Sequence, residues 1–201
     1  SGLASVLFAT YPLLVAILAH FALPQERMTL PVLVGTIVGF SGIAVIFSED
    51  FDVLGGSMVA VASAVMLIAP LVGAVVSVSV KRWGEGIHPV PFNAVAMAMA
   101  AVVMSGVAIV AEHAHPVSLD AGPVAAIIYM AILGTAVTFP LYFWLLNHMQ
   151  ARQVALIGYG TPVVAVFLGT FFMSEPLTVQ KLVGSVLVVV GVAAASHSRN
   201  Y

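Results

Sequence analysis

Few side chains in this sequence can do chemistry, and most of those are hydroxyls and aromatics beside prolines. Tyr11-Pro12 and Thr161-Pro162 each set a polar side chain next to a residue with no backbone N–H, which frees a carbonyl one turn earlier. Inside an apolar segment, such a pair offers hydroxyls and carbonyls to a guest without any fixed charge. Thr135, Thr138 and Tyr142 recur at i, i+3 and i+7, which is one face of an α-helix, and Tyr159 lies just before Thr161. Reversible binding of a small molecule is the chemistry these groups suit. The expected substrate-binding residues are therefore Tyr11, Pro12, Thr135, Thr138, Tyr142, Tyr159, Thr161 and Pro162. The competing roles are ordinary ones: kinks at the prolines, hydrogen bonds between helices, or an interfacial aromatic belt.

Other patterns point to catalysis or metal binding less well. Gly39-Phe-Ser-Gly42 has the form used by intramembrane serine proteases, with Ser41 as nucleophile, but needs a histidine base from another helix. His113 and His115 stand two apart beside Glu112, a weak metal set better read as solvated loop side chains. His20 and His148 fall near helix ends and read as interfacial anchors. No glycine-rich phosphate loop with a following lysine occurs, so ATP-driven chemistry finds no support and no cofactor is expected.

The elements that must carry these groups follow from composition. Of 201 residues, 62% are apolar and 7% charged, with no cysteine and a net charge of −2. A soluble domain carries about 25% charged residues. A soluble enzyme, a disordered tail and a disulfide scaffold are thus excluded. Six Lys plus Arg cannot form a phosphate-binding face, which excludes nucleic acid. The partner is the lipid bilayer. Apolar runs at 3–22, 31–47, 57–80, 91–111, 123–147, 153–173 and 179–196 predict an all-α integral membrane protein with seven transmembrane helices. Solid apolar blocks of this kind disfavour a β-barrel. One set of gaps holds Arg27, Lys81, Arg82, Arg152 and Arg199, and the other only Lys181. The positive-inside bias makes the first set, and the C-terminus, cytoplasmic.

A repeat organises the spans. Pro12 matches Pro162, and after one gap Glu26, Thr29, Gly35 and Gly42 match Glu175, Thr178, Gly184 and Gly191. A helix pair recurs with three helices between its copies, so the unit has five helices and successive units must be inverted in the membrane. The expected division is 1–52, the last two helices of a first repeat whose first three are missing, and 53–201, a complete second repeat of a ten-helix bundle. Gly35 and Gly39, with Gly42, form a small-residue stripe partly repeated at Gly184 and Gly191, and Ser41 aligns with Val190. Helix packing therefore explains the protease-like pattern.

The Glu-x-x-Thr loops at Glu26–Thr29 and Glu175–Thr178, the glycine-bearing helices after them, and the segment LGTAVTFPLYFWLLNHMQARQVAL at 133–156 resemble the EamA-type branch of the drug/metabolite transporter superfamily. The resemblance covers essentially the whole chain. One departure is Thr161, where many members carry a glutamate before the proline. The resemblance implies a carrier, secondary-active or facilitative, that works by alternating access and exports a small metabolite or drug. With no charge deep in any span, a neutral, zwitterionic or amphipathic substrate is expected. Ala/Val-rich spans and short loops point to a multi-pass protein of a bacterial inner membrane, and the resemblance implies peripheral glycine helices with room for a homodimer contact. The other classes weighed are a non-transporting scaffold or assembly protein and, least favoured, a protease acting through Ser41.

Overall fold

In a computed structural model the structure describes residues 6–48, 57–111, 120–172 and 177–196. All regular structure among them is helical: α1 (Tyr11–Ala22), α2 (Leu30–Ile46), α3 (Ser57–Met66), α4 (Ile68–Trp83) and α5 (Pro89–Ala111) come first. Then follow α6 (Ala121–Tyr129), a π-helix (Met130–Val137), α7 (Thr138–His148), α8 (Ala151–Ala155), α9 (Ile157–Phe172) and α10 (Val179–Ser196). Five continuous helical stretches are long and apolar enough to cross a bilayer: Val61–Trp83, Pro89–Ala111, Ala121–His148, Ala151–Phe171 and Val179–Ser196. Val6–Ala22 and Leu30–Ile46 are shorter apolar helices. The described part of each expected span is thus largely helical.

The prolines shape the spans. A helix interior rejects proline, because the ring meets the carbonyl four residues back, whereas the first turn accepts it. Pro12 accordingly lies in the first turn of α1, after a turn at Ala9 and Thr10, and Pro70 in the first turn of α4, after a break at Leu67. Pro140 follows the π-helix, whose wider turns end where its missing N–H begins to count. Only Pro162 sits well inside its α-helix, α9. Three of these four prolines thus open a helix, and Pro162 alone lies in a helix interior.

The chain divides into two compact units. One comprises residues 1–83 and 149–201, and holds α1–α4 and α8–α10. Its principal seam is α2 against α10. Gly35 approaches Ala195, Gly42 approaches Val188, and Gly184 approaches Ile46, so the two helices run antiparallel. The backbones nearly touch: a methyl group added at Gly35 would lie 2.6 Å from the Gly191 carbonyl oxygen, and one at Gly184 would lie 2.5 Å from that of Gly42. Those two contacts exchange under the repeat's own correspondence, Gly35 with Gly184 and Gly42 with Gly191. The small-residue stripe is thus a helix–helix contact within the chain. By contrast α1 and α4 run parallel, Tyr11 meeting Gly73 and Ser77 while Leu18 and Ala22 meet the stretch from Val75 to Trp83.

The second unit, residues 84–148, holds α5, α6, the π-helix and α7. Phe92 on α5 meets the edge of Phe143 on α7 with ring centroids 4.9 Å apart. The exposed face of α5 is apolar, with Val95, Met99, Val102 and Ile109 among its side chains. Such a surface suits hydrocarbon as its solvent.

Candidate functional site

The helix breaks gather a cleft in the first unit. Its volume is about 370 Å³, and its walls include Phe8, Ala9, Tyr11 and Pro12 from the turn that starts α1, and Gly158, Thr161 and Pro162 from α9. Met66, the last residue of α3 before the break, and Ile43 of α2 complete it. Four of the expected site residues, Tyr11, Pro12, Thr161 and Pro162, are thereby brought together, and the two copies of the repeated proline share one cavity. Among the described residues no charged side chain lines it.

Tyr11 is held in place by its neighbours. Its hydroxyl lies 2.7 Å from Ser77 Oγ, and Ser77 in turn donates to the Gly73 carbonyl at 2.9 Å. Because the serine's one proton is directed to Gly73, the tyrosine is the donor between them. Gly73 leaves room for the tyrosine ring, and Phe8 stacks beside it at 5.9 Å with planes 18° apart. Thr161 is exposed on α9, and Pro162 removes the N–H that would otherwise bond the Gly158 carbonyl on the same wall. The cleft therefore offers apolar and aromatic surface with a few hydroxyl and carbonyl groups.

Tyr159 is placed elsewhere. Its side chain is fully buried, its ring lies against Gly39, and its hydroxyl donates to the Thr36 carbonyl at 3.1 Å. Two residues on a helix turn the side chain by about 200°, so Tyr159 faces the α2 core when Thr161 faces the cleft. The expected role for Tyr159 in lining the site is corrected to packing.

Thr135, Thr138 and Tyr142 belong to the second unit. The expected single α-helical stripe is corrected there, because Thr135 lies within the π-helix, whose wider turns shift its angular position. Thr138 and Tyr142 remain one α-helical turn apart on α7. Both threonine hydroxyls donate to carbonyls five residues back, Thr135 to Met130 at 3.1 Å and Thr138 to Leu133 at 2.6 Å. Tyr142 is half-buried, with its ring 6.0 Å from that of Phe143.

A polar clasp that sequence reasoning missed lies between positions far apart in the chain. Glu26, only 3% exposed, accepts the backbone N–H of Ala151 at 2.9 Å and of Arg152 at 3.3 Å, capping the start of α8. Arg152, equally buried, donates to the Arg27 carbonyl at 2.7 Å and to Gln150 Oε1 at 2.9 Å. The signal available was a lone acid and a lone arginine, each at the edge of an apolar run.

The remaining patterns resolve simply. Ser41 is exposed and donates to the Ile37 carbonyl of its own helix at 2.9 Å. His20 accepts from the Met28 N–H, and His148 lies 2.8 Å from the Trp144 carbonyl. His113, His115 and Glu175 lie outside the described residues, among which no cluster suited to a metal occurs.

Residues 60–196 match the EamA-like transporter family. The chain belongs to that family. EamA proteins are membrane transporters, and this one is accordingly not an enzyme. An uncharacterized transporter of Bacillus subtilis is 27% identical over 192 residues, covering 96% of the chain and 65% of the relative. One from Archaeoglobus fulgidus is 24% identical over 199 residues, covering 99% and 69%. A WAT1-related chloroplastic protein of Arabidopsis thaliana is 24% identical over 200 residues, with 96% and 47% covered. The chain thus spans about two thirds of the length of the prokaryotic EamA relatives. A crystal structure superposes with a TM-score of 0.86 at 18% identity, covering 99% of this chain and 69% of that one, a likeness of fold alone.

Proposed function

We propose that this EamA protein forms part of a secondary-active or facilitative carrier that exports a small neutral, zwitterionic or amphipathic molecule by alternating access. The observation that carries this reading is the cleft between the turn that opens α1 at Tyr11-Pro12 and the Thr161-Pro162 step inside α9, which no charged side chain lines among the described residues. Transporters place substrate where helices are interrupted, because only there can backbone carbonyls serve a guest at membrane depth. A ten-helix bundle of two inverted five-helix repeats, divided here into 1–52 and 53–201, is supported by the antiparallel α2–α10 seam. Its contacts interchange under the repeat, as an axis in the membrane plane would require. The bias of basic residues supports a cytoplasmic C-terminus, and short loops with Ala/Val-rich spans support a bacterial inner membrane. Thr135, Thr138 and Tyr142 are retained as substrate-facing candidates of the second unit.

Everted membrane vesicles containing the transporter test the reading, with tryptophan as a zwitterionic aromatic probe and glucose 6-phosphate as a charged comparison. Tryptophan accumulates and the phosphate ester does not. Thr161→Val raises the half-saturating tryptophan concentration about fivefold, the equivalent of one hydrogen bond of ~1 kcal/mol. Ser41→Ala leaves transport unchanged. Preferential uptake of the phosphate ester, or equal uptake by vesicles lacking the protein, overturns the uncharged-cleft reading.

A further inference from the structure

We propose that a second groove, between the paired ends of α1 and α4, binds one anionic phospholipid, with its phosphate on Arg82 and an acyl chain between the two helices. The groove has a volume of about 160 Å³ and shares no residue with the cleft at Tyr11 and Thr161. Its floor is Val78, 5% exposed, and its walls are Leu18 and Ala22 of α1 with Val75 of α4. Ser79, Arg82 and Trp83 form its polar mouth.

Three observations select this occupant. Arg82 is exposed, its guanidinium carbon lies 5.2 Å over the Trp83 ring, and among the described residues no acidic side chain pairs with it. An unmatched guanidinium with a planar fork of donors suits a phosphate diester. Secondly, Trp83 is 68% exposed beside it, the placement of an aromatic at the headgroup level. Thirdly, the apolar walls run seven residues back from Arg82 to Val75, about 10 Å along the helix axis. Inorganic phosphate satisfies only the mouth, whereas a phospholipid satisfies both mouth and walls. Charge complementarity to Arg82 favours phosphatidylglycerol over the zwitterionic phosphatidylcholine.

The full chain, purified in a neutral detergent, is titrated with phosphatidylglycerol and with phosphatidylcholine of identical acyl chains, and bound lipid is counted by native mass spectrometry. One phosphatidylglycerol is retained about fivefold more tightly than phosphatidylcholine. Arg82→Gln removes that preference while Arg82→Lys keeps most of it, and Val75→Trp, which fills the groove, weakens both lipids. Equal retention of the two lipids by the unaltered chain overturns the proposal. So does displacement of the retained lipid by millimolar inorganic phosphate, which would make the mouth a free-anion site. A preference that survives Arg82→Gln removes Arg82 from it.

Discussion

Gly191→Ala lowers the thermal unfolding midpoint sharply, although alanine is the better helix former by about 1 kcal/mol. The reason is the closeness of α2 and α10. The added methyl would lie 2.6 Å from the Gly35 carbonyl oxygen, a backbone atom that cannot rotate away. Relief requires the helices to separate, which removes contact along the whole seam, so the net loss is ~2–3 kcal/mol or more. Gly106 on α5 supplies the comparison, because a methyl there meets nothing within 4 Å. Gly106→Ala leaves the midpoint unchanged or raises it. The repeat adds a stricter condition. Gly42→Ala, whose methyl lies 2.6 Å from the Gly184 carbonyl oxygen, should match Gly191→Ala, and Gly35→Ala should match Gly184→Ala. Midpoints measured in one detergent check both conditions. A Gly191→Ala chain as stable as its parent would show that the seam is not close-packed.

How much of this was legible in the sequence depends on the distance over which each constraint acts. The helices were legible because hydrocarbon demands an unbroken apolar run, and charges fall where those runs stop. The seam was legible as glycines repeated in a fixed order. Its partner was not, because Gly35 and Gly42 reveal a close approach without naming the helix that approaches. Part of the cleft was legible, since a proline either opens a helix or frees a carbonyl within one, and Tyr11 and Thr161 stand directly beside Pro12 and Pro162. Phe8, Ile43 and Met66 were not, because apolar residues that line a cavity have the same composition as those that face lipid. Tyr159 was misplaced because a polar tip on an aromatic serves equally well inside a core when a carbonyl such as that of Thr36 is near. The π-helix escaped for a different reason. Its widened turns arise near Pro140 and Gly134, whereas the i, i+3, i+7 spacing presumes uniform 3.6-residue turns throughout.

Glu26→Ala is the substitution expected to damage the chain most outside the seam. A helix start leaves its first N–H groups without partners, and at α8 the N-cap Gln150 makes no capping bond through its own side chain. Glu26 does this from a different part of the chain, and its negative charge also suits the helix N-terminus and attracts Arg152. Truncation leaves two buried N–H groups unmatched and removes the counter-charge of a buried guanidinium, a loss of ~3–5 kcal/mol. Glu26→Gln retains an acceptor oxygen and should lose ~1–2 kcal/mol, because hydrogen bonds to a charged acceptor are about twice as strong as neutral ones. Arg152→Ala is damaging too, but the double substitution should lose less than the two single losses combined, by ~1 kcal/mol or more, since each removes part of the same network. Unfolding in detergent monitored by tryptophan fluorescence supplies all four numbers. Strict additivity would mean that Glu26 caps α8 without involving Arg152. A Glu26→Ala chain within ~0.5 kcal/mol of its parent would put the clasp among surface substitutions of no structural consequence. A loss between those outcomes means that the loop glutamate holds the α1–α2 turn against α8, the short helix that leads into α9 and Thr161. In that case Glu26→Gln, which folds, should also alter the half-saturating concentration of tryptophan in everted vesicles, although Glu26 does not line the cleft.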